Sequence, residues 1–257
     1  MEDFPIEPLA RRWAAAERVV VLTGAGLSTA SGIPDFRSPG GRWEHYRPVT
    51  IQEFLASESS AEAYWKYKGE TWDVIRQAQP NAAHRALAEL ALAGRIFLLA
   101  TQNVDGLHER SGFPPESLIN VHGTDSAVAC LDCGARGPRE PAQEQWRSGI
   151  PVPRCASCGG RLKPATISFG QSLVEADLRR ASEAALSCEL FVAAGTSLVV
   201  GPINQLFDLA AEAGAATAIL TASDTPCDER ADFRSRAPVE RTLPAVAREV
   251  TVVSSRA

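Results

Sequence analysis

No stretch of the 257-residue chain approaches the roughly 20 consecutive apolar residues that cross a bilayer, so a membrane-spanning helix is not expected. Basic charge is not in excess either. The chain has 26 Lys and Arg against 31 Asp and Glu, a formal net charge of −5. That balance gives no electrostatic footprint for nucleic acid or for an anionic membrane surface. The opening Met1-Glu-Asp-Phe-Pro5 lacks both the basic start and the apolar core of a signal peptide. There is no internal repeat and no low-complexity tail. A disulfide scaffold is also disfavoured, because four of the six cysteines are spaced as metal ligands and suit a reducing compartment. A cytoplasmic protein is expected.

The composition that remains is ordinary for a globular chain, with 45% hydrophobic and 22% charged residues. The length allows one domain or two. The most specific feature is Cys130-Leu-Asp-Cys133 followed, after 21 residues, by Cys155-Ala-Ser-Cys158. Each Cys-x-x-Cys turn can set two thiolates on one metal, and four sulfurs close a tetrahedral zinc site that has no open position for water. Gly134 and Gly159-Gly160 follow the two turns, where the backbone must reverse. Two disulfides, or four unrelated buried cysteines, are the alternative. Cys188 and Cys227 read as unpaired residues near the core.

Patterning along the chain alternates strands with helices. An amphipathic helix is expected over 6–17, with Leu9, Trp13 and Ala16 on one stripe. Val19 to Thr23 is a continuous apolar run of the kind buried in a parallel sheet. The aromatic-rich segment from Thr50 to Arg76 is helical, as is Asn81 to Ala93, closed by Gly94. Strands are expected at 96–100, 190–194, 217–220 and near 250–253, and helices at 174–186 and 203–213. Between about Val128 and Leu162 the chain is Pro- and Gly-rich and cannot build a core of its own. The fold class is therefore α/β, a doubly wound, parallel, Rossmann-like sheet with a smaller zinc-binding and helical insertion module.

Gly24-Ala25-Gly26-Leu27-Ser28 follows the first strand and has the form of a dinucleotide turn, although Gly32 comes later than the Rossmann pattern asks. A plain tight turn has the same signature. Gly195-Thr196-Ser197 follows another buried strand, so two strand ends can face one ligand. Gln102, Asn103 and Asp105 stand just past the 96–100 strand, where they can bind a ligand or satisfy loop amides. His122 precedes Gly123, and a lone histidine is more often structural than catalytic.

Read in order, these stretches resemble the sirtuin family of NAD-dependent protein deacylases, from about residue 18 to 245. The motifs are Gly24-Ala-Gly-Leu-Ser28, Gly32-Ile33-Pro34-Asp35-Phe36-Arg37, Thr101-Gln-Asn-Val-Asp105, His122-Gly123, the four cysteines and Gly195-Thr-Ser-Leu198. Six motifs in register make chance agreement negligible. The resemblance implies one catalytic domain over 1–257. Its large part would span about 1–38, 80–125 and 165–257, with a helical insertion at about 39–79 and a zinc ribbon at about 126–164. It implies NAD as co-substrate, one structural Zn2+ per chain, and an acyl-lysine protein or peptide as substrate. Nucleic acid and membrane are not expected partners. A monomer is the expected state.

In similar enzymes the acyl-lysine amide oxygen attacks the ribose C1′ as nicotinamide leaves. A neutral histidine then takes a proton from a ribose hydroxyl, and the acyl group ends on ADP-ribose. Carried over, His122 is the general base, with Asn103 assisting at the nicotinamide and ribose. Asp105 orients the same groups, Ser28 lines the phosphate and ribose path, and Gln102, Val104 and Thr29 are further cofactor-binding residues that the resemblance implies. Ile33, Pro34 and Asp35 help hold the nicotinamide pocket, Phe36 shields C1′ and Arg37 lines the phosphate path. Gly24, Ala25, Gly26, Gly195, Thr196 and Ser197 surround the dinucleotide, with Thr221, Ala222, Ser223 and Val239 on the adenine side. Ile167, Phe169 and Gly170 belong to a strand expected to pair with the substrate peptide.

Three departures bear on specificity. Gln171 stands where many relatives have Glu. Thr221-Ala222-Ser223 replaces an Asn-led triplet, a loss of about one hydrogen bond, 0.5–1.5 kcal/mol. Tyr67 occupies the place of the arginine with which desuccinylating relatives read an acyl carboxylate, and Lys66 or Lys68 lacks the bidentate fork. Neutral acyl groups are therefore expected, with deacetylation as the reaction. ADP-ribosyl transfer or NAD hydrolysis on the same scaffold is the alternative, and a non-enzymatic NAD-sensing or zinc-ribbon module a more distant one.

Overall fold

The computed structural model describes residues 6–35, 41 and 46–255. In chain order these form α1 (Ile6–Ala15), β1 (Val19–Thr23), α2 (Ile51–Ala56), α3 (Glu58–Gln77), α4 (Ala82–Leu92), β2 (Leu98–Thr101), α5 (Leu107–Arg110) and β3 (Leu118–Asn120). Then come β4 (Gly123–Cys130), β5 (Arg136–Pro138), α6 (Arg139–Arg147), β6 (Leu162–Thr166), α7 (Glu175–Ser187), β7 (Leu190–Ala194), α8 (Gln205–Glu212), β8 (Ala216–Leu220), β9 (Phe233–Ser235) and α9 (Val239–Ser255).

Six strands pair in parallel in the order β3-β2-β1-β7-β8-β9. All five residues of β1 are buried because both faces of the sheet are covered. Val19 and Val21 pack with α1, α4 and α9, through Trp13, Leu87 and Val246. Val20 and Leu22 pack on the opposite face with α7 and α8, through Ala184 and Phe207. The chain runs outward from β1 to β2 and β3, then returns to β7 on the other side of β1. That reversal opens a crevice at the carboxyl ends of β1 and β7, where ligands bind in such sheets.

A second, antiparallel sheet of β5-β4-β6 carries the four clustered cysteines. The apolar residues of the sheet and of the segment between β5 and β6, Val128, Ala142, Val152 and Leu162, do not suffice alone. They share a cluster with Phe54, Ala61, Tyr64 and Trp65 of α2 and α3. The two insertions complete each other.

The predicted 50–76 helix is two helices, split at Ser57. Its extended backbone ends α2, and its side chain caps α3 by accepting from the Ser60 amide. A strand expected near 250–253 is corrected: these residues lie in α9. Leu243, Val246, Ala247 and Val250 recur at helical spacing and pack with α1 and α4, which outweighs the strand preference of a β-branched run. α6 and the short edge strand β9 had no sequence-based expectation. The buried face of α6 includes Arg139 and Gln143, which hides its periodicity. Among the described residues no helix is long and apolar enough to cross a membrane.

Candidate active site and metal centre

A cavity of about 1070 Å³ opens at the carboxyl ends of β1, β2, β7 and β8 and extends towards α3 and the end of β6. The two glycine turns meet at its floor. The Gly24 amide donates to the Ala194 carbonyl at 3.1 Å and the Gly26 amide to the Gly195 carbonyl at 2.9 Å. Gly195 has φ +62°, and a Cβ there would lie 2.3 Å from the Leu27 nitrogen, so no other residue fits without displacing the turn.

Asn103 joins the first turn to β2. Its Nδ2 donates to the Gly24 carbonyl at 3.0 Å and to Ser28 Oγ at 3.1 Å. Ser28 in turn donates to Asp105 Oδ2 at 2.7 Å, while Asp105 Oδ1 accepts from the Leu107 amide at 2.9 Å. Burial raises the Asp105 carboxyl above its ordinary range, against the lowering effect of those two donors. Gln102 Nε2 reaches Thr196 Oγ1 at 2.8 Å, linking β2 to the turn after β7.

His122 follows β3. Its Nδ1 lies 3.0 Å from the Gln102 carbonyl, which only accepts, so the proton sits on Nδ1 and Nε2 keeps its lone pair. Burial lowers the imidazole below its usual pKa, although the bond to Gln102 opposes the shift. The Ile167 amide donates to the His122 carbonyl at 2.8 Å and brings the end of β6 against the histidine.

The cavity is lined by Gly24, Ala25, Gly26, Ser28, Ile33, Pro34, Asp35, Gln102, Asn103, Val104, Asp105 and His122. Gly195, Thr196, Ser197, Thr221, Ser223, Ile167, Phe169 and Gly170 line it too. Phe36 and Arg37 lie outside the described residues. Three expected contacts are not brought to the lining. Thr29 is exposed and donates to the Gly26 carbonyl at 3.1 Å, stabilising the turn from outside. Ala222 is exposed between two lining residues. Val239, 4% exposed, starts α9 and packs its side chain in the core.

The segment expected to pair with a peptide as a strand is also different in form. β6 ends at Thr166, and residues 168–171 make a turn in which the Gln171 amide donates to the Ser168 carbonyl at 3.0 Å. Gly170 at φ +77° turns the chain, and the Phe169 and Gly170 carbonyls accept from Ile51 N and Gln52 Nε2 of α2, both at 3.0 Å.

The residues that hold Asn103 were not singled out in the sequence. Its amide donates to Thr101 Oγ1 at 3.1 Å, Thr23 Oγ1 donates to the same oxygen at 2.8 Å, and His108 Nε2 lies 3.0 Å from Thr23 Oγ1. Their one signal was position: a threonine ending each of two buried strands.

In the second sheet, Cys130 and Cys158 Sγ are 3.5 Å apart, Cys133 and Cys155 Sγ 3.8 Å, and all four sulfurs lie within 4.8 Å of one another. A tetrahedron with zinc–sulfur bonds of about 2.3 Å has sulfur–sulfur edges of about 3.8 Å. Disulfides, at about 2.05 Å, are excluded by those separations. The donor set therefore fits one zinc ion held by Cys130, Cys133, Cys155 and Cys158. Cys188 and Cys227 are free and buried.

Comparison with known proteins agrees with this geometry. Residues 24–202 match the family model described as Sir2 family. The NAD-dependent protein deacetylase of Rhodopseudomonas palustris is 40% identical over 238 residues, 93% of this chain and 94% of that protein. NAD-dependent protein deacetylase 2 of Streptomyces coelicolor is 40% identical over 234 residues, 90% and 96% of the two chains. Among solved structures, a Sir2 homolog–NAD complex superposes with a TM-score of 0.86 at 35% identity, covering 96% of this chain and 94% of that one. A Sir2–p53 peptide–NAD+ complex gives 0.88 at 30% identity, covering 96% and 99%.

Proposed function

The chain belongs to the Sir2 family, and from that premise we propose that it is an NAD-dependent protein-lysine deacetylase. It transfers the acetyl group of a lysine side chain to ADP-ribose and releases nicotinamide. The single observation that carries the chemistry is the fixed tautomer of His122 on the cavity wall, proton on Nδ1 and lone pair on Nε2. A ribose hydroxyl brought there loses its proton to Nε2, as general-base catalysis requires. Asn103, Ser28 and Asp105 form one hydrogen-bonded unit suited to orienting the nicotinamide ribose. The Gly24–Gly26 and Gly195–Ser197 turns let the dinucleotide lie close to the backbone. An acyl-lysine peptide enters beside Ile167, Phe169 and Gly170. The large sheet and the two insertions act as the two parts of one catalytic domain, with the cavity between them and the zinc as a structural staple.

The acyl pocket favours neutral groups. Tyr67 lines the cavity where an arginine fork would read a carboxylate, and the Lys68 ammonium is paired with Asp125 at 3.4 Å. Acetyl-lysine peptide is expected to give a higher kcat/KM than its succinylated counterpart, and the reverse order would overturn this assignment of the pocket. The reaction itself is tested by incubating the protein with NAD and an acetyl-lysine peptide and identifying the nucleotide by mass spectrometry. O-acetyl-ADP-ribose with equimolar nicotinamide is expected. ADP-ribose alone, or ADP-ribose attached to protein, would replace deacetylation by hydrolysis or transfer.

A further inference from the structure

The loop after β8 brings Thr221 and Ser223 to the cavity, and one side chain from the neighbouring strand fixes its backbone. Arg234, in the middle of β9, donates from Nη1 to the Thr221 carbonyl at 2.8 Å and to the Ser235 carbonyl at 2.5 Å. Its Nη2 donates to the Ser223 carbonyl at 2.9 Å. Behind it, Nε lies 2.9 Å from Asp228 Oδ1, and the guanidinium side chain is 17% exposed. Asp228 is itself held, accepting from Thr225 Oγ1 at 2.6 Å and from Arg236 Nη2 at 3.2 Å. The Thr221 amide donates to the Ser235 carbonyl at 3.0 Å, so the loop leaves β8 from a fixed point.

A planar fork suits this task. Two nitrogens of one guanidinium grip two carbonyls of the same three-residue loop while the third faces a carboxylate. An ammonium can make the ion pair but lacks that geometry. With both carbonyls held, Ala222 is left outside and the residues on either side of it face the cavity.

We propose that Arg234 is a positioning residue for the adenosine end of NAD. Without touching the nucleotide, it sets the backbone of Thr221–Ser223 and so the direction of their hydroxyl groups. The proposal rests on the reading of that loop as part of the NAD site. The loop presents short hydroxyl side chains where the family uses an asparagine, so its contacts depend closely on where the backbone stands. A loop ordered before binding does not subtract its ordering entropy from the affinity.

The test compares wild type with Arg234→Ala, Arg234→Lys and the double variant Thr221→Ala/Ser223→Ala. ADP-ribose binding is measured by calorimetry, and initial rates with NAD and acetyl-lysine peptide. Arg234→Ala is expected to weaken ADP-ribose binding and raise KM for NAD by about tenfold, the size of one good hydrogen bond lost. Its kcat and its KM for peptide should stay within about twofold of wild type, a split that a general loss of structure does not produce. Arg234→Lys should fall between the two, and decides the matter if the alanine variant does not fold. Wild-type ADP-ribose affinity in the folded Arg234 variants, with weaker binding in the double variant, would overturn the clamp and leave the site reading standing. Unchanged affinity in all three variants would remove the loop from the NAD site and the proposal with it. A fall in kcat with a rise in both KM values would assign Arg234 a structural role instead.

Discussion

His122 has one nitrogen committed to the Gln102 carbonyl and one available as a base. Burial holds its pKa below 6.5, with the bond to Gln102 working the other way. In the general-base role proposed for it, the neutral form is the active one, so catalysis is expected to be lost as pH falls through that lowered value. The acid limb of kcat/KM should therefore have its inflection below pH 6.5, and an inflection above it would contradict the burial argument. His122→Ala should reduce kcat by roughly 10² to 10⁴ and leave ADP-ribose binding intact. Near wild-type release of O-acetyl-ADP-ribose by the variant would sink the assignment. The histidine was legible in the sequence because it sits in a local motif, as do Ser28, Asn103 and Asp105. Thr23 and His108 were not, because the contact between them joins a strand to a helix far apart in the chain, and the motif that begins at Thr101 gave no sign of its bond to Thr23. Thr29 and Ala222 neighbour lining residues in the sequence, but both are exposed and neither is among the cavity-lining residues.

Helix α4 carries a titrating group inside its first turn. Asn81 caps it by accepting from the Ala83 and His84 amides, and His84 Nδ1 accepts from the Asn81 amide in return. His84 is fully buried, and burial first, then Arg85 and Arg110, pushes its pKa down to about 4. The unfolded chain binds this proton below about pH 6.5, the folded one only near 4. Stability is thus fully present above 6.5 and falls between 6.5 and 4, by about 3 kcal/mol for this group. His84→Gln keeps an acceptor at the same helix position and removes the titration. Its urea midpoint should fall less between pH 7 and 4.5 than that of wild type, and parallel curves would refute the attribution. The helix and its cap could be read from Asn81 and Gly94, whereas burial of the histidine depends on packing with α5, where the His84 and His108 rings are 5.0 Å apart. The cysteine-bearing sheet behaves likewise. Its metal spacing was plain, but α6 was hidden by its polar buried face. Zinc analysis should give about one ion per chain. Cys130→Ala should lose the ion and destabilise residues 128–162, because structural zinc contributes on the order of 10 kcal/mol to small sites. Full activity after the metal is stripped, with that segment shown to be unfolded, would end its structural role.

At the scale of the molecule, the two insertions and the large sheet meet at one carboxylate. Asp125 of β4 is fully buried. Its side chain faces the Lys68 ammonium of α3 at 3.4 Å and Arg139 Nε of α6 at 3.9 Å, while its amide donates to the Val104 carbonyl at 2.9 Å on the cavity wall. Arg139 is further held over the rings of Trp65 and Trp72, 4.4 and 5.2 Å from their centroids, and donates to the Lys68 carbonyl at 3.1 Å. Gly69 lets α6 approach, since a Cβ there would meet the Trp146 ring at 2.5 Å. This meeting was not legible in the sequence, where Lys68 is read only against an acyl carboxylate and Asp125 and Arg139 carry no signal, since the three stand on segments far apart in the chain. Neither carboxylate oxygen has a hydrogen-bond partner among the described residues, so the carboxylate is tied to its two cations by charge, while hydrogen bonds to backbone carbonyls fix Arg139 and the Asp125 main chain. Such a cluster adds little over an apolar core, but losing one member strands the others. Asp125→Asn should therefore destabilise by about 3–5 kcal/mol, roughly a 10 °C drop in Tm for a chain of this size. Adding Lys68→Met removes one stranded cation, and the double variant should recover more than half of the loss, since Arg139 keeps its tryptophans. Equal Tm values for the single and double variants would mean that Asp125 holds the parts together by shape alone. A recovery would show that charge pairing, set where the three segments meet, fixes the walls of the cavity.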